Sequence, residues 1–85
     1  MDEINTNANL FSTEINDTLI ILNTDTGSYL ELNSSAKFIW EKIEQEKKYK
    51  NILKAITEEY EISEAEAKNS LDKFLIKASE KNLLD

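Results

Sequence analysis

The side chains able to do chemistry in this chain are carboxylates and lysines: seventeen acidic residues and ten basic ones, every one a lysine, with no histidine and no cysteine. That removes imidazole bases, thiol nucleophiles, disulfides and the commonest zinc ligands together. Glu58, Glu59 and Glu61 lie close together, and Glu64 and Glu66 follow, so paired carboxylates or an acidic metal site are the only centres the composition leaves. On amphipathic helices such runs are solvated faces. There is no Gly-rich phosphate loop, no ligand cluster with metal spacing and no Ser/His pair. The chain reads as non-catalytic and in need of no cofactor.

Charge is distributed unevenly. Residues 1–33 hold six acids and no lysine, while residues 34–85 hold eleven acids against all ten lysines, a net of minus one, which together give the total of −7. A protein that binds duplex DNA needs a basic footprint to displace counterions from phosphate, so nucleic acid is an unexpected partner. The start MDEINTNANL is acidic and polar, unlike a signal peptide, and no apolar run approaches the roughly 20 residues of a membrane span. A cytoplasmic protein with no membrane contact is expected. At 85 residues the chain suits one domain with a single modest core.

The elements that position these groups centre on Thr24 to Trp40, TDTGSYLELNSSAKFIW. Asp25, Thr26 and Gly27 are turn residues, and Gly27, the single glycine, marks a backbone that needs positive φ. Leu19 to Leu22 upstream and Ser28 to Leu32 downstream read as paired antiparallel strands. Ala8 to Ile15 reads as a weaker first strand, joined to the second by a tight turn at Asn16 and Asp17. The last strand then has one unpaired edge. Asn33, Ser34 and Ser35 offer three successive N-caps for a first helix, about Ser34 to Gln45, with Ala36, Ile39, Trp40 and Ile43 on one face and Trp40 as core anchor.

A second helix is expected at about Tyr49 to Glu59, with Tyr49, Ile52, Leu53, Ile56 and Tyr60 turned to the core. Ser63 and Glu66 form a capping box that opens a third, Glu64 to about Lys81, whose stripe is Ala67, Leu71, Phe74, Leu75 and Ala78. Ile76 does not belong to that stripe, since it lies about 140° around the helix from Leu71. Such an isoleucine is either a single exposed apolar residue or part of a binding surface. Residues 1–7 read as a disordered N-terminal tail and residues 8–85 as the domain. The expected fold is thus α+β and winged-helix-like, a three-stranded antiparallel sheet followed by three helices.

The ordered set Thr26, Gly27, Tyr29, Leu32, Asn33, Ile39 and Trp40, followed by Ile52, Ile56, Tyr60, Ile62, Leu71, Phe74, Leu75, Leu83 and Leu84, resembles the PqqD-like family, the recognition elements of ribosomal peptide-modifying pathways. The resemblance runs over most of residues 8 to 84. It departs from the family pattern at Ala36, Lys47, Lys48, Ser70 and Asn82. Lys48, in place of a capping Thr, makes the start of the second helix the least defined boundary.

The resemblance implies a non-catalytic adaptor that binds the leader segment of a precursor peptide as an added strand beside the last strand and against the third helix. A modifying or processing enzyme, whether protease, cyclase or radical SAM enzyme, would then act on the presented core, in a lasso-peptide, radical-modified or cofactor pathway. On this reading Ser28, Tyr29, Leu30 and Glu31 supply the edge, and Asp72, Leu75, Ile76 and Ser79 the groove wall. The opposite flank of the helix, near Ser70, Phe74 and Lys77, is the alternative wall. A free edge with an adjacent pocket suits strand-addition recognition. The rival is a winged-helix DNA-binding regulator, disfavoured because the hairpin that would act as wing is acidic.

Overall fold

The computed structural model describes residues 3–85. Strands β1 (Leu10–Ile15), β2 (Thr18–Asn23) and β3 (Tyr29–Leu32) form an antiparallel meander in the order β1-β2-β3. Asn16 and Asp17 join the first two with φ of 49° and 67°, the pair of left-handed residues that a type I′ turn requires. Ile15 accordingly sits directly across from Thr18. Gly27 has φ of 78°, where a side chain would be strained, as its turn position led us to expect.

Asn23, at the end of β2, is 1% exposed and the one buried polar residue among those described. Its side-chain oxygen accepts from the backbone N–H groups of Asp25 and Thr26 at 2.9 and 3.1 Å, which closes the β2–β3 turn. Its Nδ2 donates to the Asn82 carbonyl at 2.6 Å, 59 residues away. One amide therefore fixes the hairpin to the far end of the chain, and burial without those partners would cost about 1–3 kcal/mol.

Three helices follow: α1 (Ser34–Glu46), α2 (Tyr49–Tyr60) and α3 (Glu64–Glu80). Of the three cap candidates for α1, Asn33 is used, accepting from the Ala36 N–H at 3.0 Å. Ser63 caps α3 by accepting from the Glu66 N–H at 3.1 Å, as the capping box predicts. Lys48 caps α2 with no side-chain bond, and Lys47 before it is held at φ 64°. The poorly defined start of α2 thus corresponds to a real weakness in the chain.

The core is built from both halves. Ile21 and Leu32 from the sheet meet Ile39, Trp40 and Ile43 of α1, Ile52 and Ile56 of α2, and Leu71 and Phe74 of α3. Trp40 is buried and meets Phe74 edge to face at 6.3 Å between centroids, the anchor its size predicts. Tyr60 sits at the margin, 40% exposed against Phe38 rather than inside the core. Met1 and Asp2 lie outside the described residues. Glu3 to Asn7, expected as part of a disordered tail, make backbone hydrogen bonds: Ile4 N–H to Lys47 O, Asn7 N–H to Leu83 O, and Asp85 N–H to Asn5 O. This polar segment carries no strand signal of its own, but the α1–α2 connection and the C-terminal tail supply its partners, and Ile4 and Leu84 pack against the core beside Leu75.

Candidate groove beside the third strand

Strand addition needs backbone groups with no partner and a wall beside them. β2 takes one edge of β3, and among the described residues no strand takes the other. Between that open edge and α3 lies a groove of about 310 Å³. Leu32, Ala36, Ile39 and Phe74 form its floor, with Leu30 and Glu31 on the strand side and Ser70, Lys73 and Lys77 on the helix side. It shares Ser35, Ile39 and Ser70 with a second depression lined by Ile56, Tyr60 and Ile62, so the channel continues beyond the strand.

Two contacts set the relative direction of the walls. Asn82, just past the end of α3, donates from Nδ2 to Ser28 Oγ at 3.4 Å, and its carbonyl is held by Asn23. The C-terminal end of α3 is therefore beside the start of β3, and Ser70 is beside Ser35, where β3 has passed into α1. Strand and helix run in opposite directions along the groove. Strand alternation sends Leu30 and Leu32 inward and Tyr29 and Glu31 to the other face of the sheet. Tyr29, 54% exposed, lies in register with Leu22 and Phe11 there.

Leu30 and Glu31 line the groove, and Ser28 and Tyr29 precede them along the same edge. The four helix residues expected at the wall are elsewhere. Asp72 accepts from the Tyr49 hydroxyl at 2.6 Å and pairs with Lys68 at 3.5 Å, so it faces α2. Leu75 is half-buried in a small pocket with Ile4, Asn5 and Leu84. Ile76 is 61% exposed, and neither it nor Ser79 lines the groove. The flank beside β3 is the alternative one, with Ser70, Phe74 and Lys77. Lys73 was missed, although it follows from the same helical face one turn before Lys77.

Electrostatics separate the flanks further. Burial, and then the bond to Asp72, push the Tyr49 phenol above its ordinary value. Lys68 is raised by Tyr49 and by Asp72. The groove lysines have no such company: the ion pairs among the described residues are Lys37–Glu14 and Lys68–Asp72. No group of three or more potential metal ligands occurs among the described residues, and no helix there is long and apolar enough to cross a membrane.

The family model for coenzyme PQQ synthesis protein D (PqqD) matches residues 18–84. A solved structure described as TbiB1 in complex with the TbiA(beta) leader peptide is 28% identical, with a TM-score of 0.85 over 95% of this chain and 94% of that one. A second, lasso peptide synthetase B1 complexed with the leader peptide, is 17% identical, with a TM-score of 0.84 over 98% of both chains, and shows the shared fold. No curated protein matches.

Proposed function

The chain belongs to the PqqD family, and from that premise we propose that it is a leader-binding adaptor, itself without catalytic activity, that works in the cytoplasm. A precursor leader adds as a fourth strand along Ser28 to Glu31 and sets its inward side chains between β3 and α3. The observation that carries this reading is the unpaired β3 edge placed directly against an apolar-floored groove. The likeness to a chain solved with a leader peptide supports it. The helix side of the site is Ser70, Lys73, Phe74 and Lys77 in place of Asp72, Leu75, Ile76 and Ser79.

Affinity follows from the same geometry. Two or three leader side chains buried at about 1.5–3 kcal/mol each, with strand hydrogen bonds and less the cost of association, give a Kd of about micromolar or tighter. The adaptor then hands the core peptide to a modifying or processing enzyme. The acidic sheet disfavours nucleic acid, and the DNA-binding reading must contend with seventeen acids against ten lysines. Hydrogen exchange with the leader of the cognate precursor is the test. Protection confined to Tyr29–Leu32 and the groove is expected, and binding with no protection at β3 would overturn strand addition.

A further inference from the structure

Lys73 and Lys77 are a like-charge pair one helical turn apart, in a protein whose acids outnumber its lysines seventeen to ten. Pairs at this spacing repel by a few tenths of a kcal/mol. The charge at Lys77 is accounted for by the last turn of α3, where a cation complements the helix dipole. Lys73 sits in mid-helix, and its neighbours three and four residues away, Asn69, Ser70, Ile76 and Lys77, include no acid. Neither ammonium makes an ion pair among the described residues, yet both line the groove. The charged groove liners are thus two lysines and Glu31, and alternation turns the Glu31 side chain to the opposite face of the sheet.

We propose, on the strand-addition reading above, that the captured peptide carries a carboxylate facing Lys73 and Lys77 and an apolar side chain two residues away over Ala36, Ile39 and Phe74. Spacing supports this assignment. The two lysines are about 6 Å apart along the helix axis, and successive inward positions of a strand are about 6.8 Å apart. Because α3 runs against β3, Lys77 lies toward the Leu30 end and Phe74 and Ser70 toward the Asn33 end. A carboxylate beside Leu30 lies level with Lys77, and the long Lys73 side chain, which starts one turn nearer the Asn33 end, can swing its ammonium group to the same carboxylate, while the next inward residue, beside Leu32, reaches the apolar floor. The residue between them points outward next to Glu31, where an acid is repelled and a Lys or Arg is favoured. The peptide has two faces of opposite charge preference, so a slip of one residue would place every group against the wrong wall. The lysine pair sets register as well as affinity.

The test selects phage-displayed random dodecapeptides on the parent and on a Lys73→Glu/Lys77→Glu variant, with Lys73→Gln/Lys77→Gln as the neutral control. Both variants are expected to stay folded, since both side chains are exposed, the Gln variant melting close to the parent and the Glu variant a few degrees lower because Lys77→Glu opposes the helix dipole. Enriched peptides are then synthesised, and their binding at β3 is checked by shifts of the Tyr29–Leu32 amides. The parent should select an acid two positions from an apolar residue, and changing that acid to Lys should weaken binding at least about tenfold, as like-charge juxtaposition does. The Glu variant should prefer the Lys peptide. Peptides that shift the β3 amides but bind parent and Glu variant equally would overturn the charge assignment and leave strand addition standing. If no selected peptide shifts those amides, both fail.

Discussion

The two flanks of α3 are nearly mirror images on a helical wheel and opposites in the folded protein. Measured from the middle of the buried stripe, Ser70, Lys77 and Lys73 lie at about 70°, 90° and 130° to one side, and Leu75, Lys68 and Asp72 at about the same angles to the other. One flank is occupied from within the chain: Ile4 and Leu84 pack around Leu75, and Tyr49 of α2 takes Asp72. The other faces the open edge of β3 with its lysines free of ion pairs among the described residues. An apolar residue at the margin of a stripe marks the flank the protein has already covered. The flank proposed for the ligand is the polar one.

The largest expected effect comes from removing what decides which flank meets β3. Asn23→Leu deletes three hydrogen bonds and leaves the Asn82 carbonyl without its side-chain donor, so stability should fall by about 2–4 kcal/mol. Chemical denaturation measures it. A loss under half a kcal/mol would show that Asn23 does not hold the hairpin to the end of α3.

Filling the open flank comes next. Ala36 is half-buried on the groove floor, and Ala36→Phe should weaken leader binding at least about tenfold, roughly 1.4 kcal/mol, while the melting temperature changes little. Calorimetric titration beside a thermal melt separates the two. Unchanged affinity would place the peptide elsewhere.

The covered flank should respond the other way. Leu75→Ala is expected to lower stability by about 1–2 kcal/mol, below the range for a fully buried leucine because Leu75 is only half-buried, and to leave affinity intact. Ile76→Asp should change stability by half a kcal/mol or less, about what a surface substitution does, and binding not at all. Affinity lost at either position would move the site back to that flank.

The smallest effect is a pH dependence on the covered side. Tyr49 is held above its ordinary value of 10.0 by burial and by donating to Asp72, so the folded state favours the protonated phenol. Its contribution is fully present below the unfolded value and is lost as pH rises through the higher folded one. Melts of the parent and of Tyr49→Phe, followed from about pH 9 to 11, should therefore keep their gap up to about pH 10 and converge above it. A gap that stays constant across that range would remove the phenol from the account.

Most of the fold is legible in the chain because local chemistry and pattern agree there. Asn16 and Asp17 are residues that accept left-handed backbone, Gly27 is the only residue without a Cβ, and Ser63 with Glu66 announces α3. The strand half of the site is legible for the same reason, since a last strand followed directly by a helix must keep one edge. The helix half is not. Choosing a flank requires knowing that Asn82 reaches Ser28 and that residues 3–7 return to the C-terminal tail, contacts between residues far apart in sequence that no periodicity encodes. Asn23 left a faint trace, an asparagine closing an apolar strand just before a turn, where its side chain can bond the backbone ahead.

The account turns on which wall the leader touches, and intermolecular NOEs from a bound leader to the side-chain methyl groups read that directly. The leader of the cognate precursor should give NOEs to Leu30, Ala36 and Ile39 and none to Leu75 or Ile76. NOEs to Leu75 and Ile76 without those to Ala36 and Ile39 would contradict it.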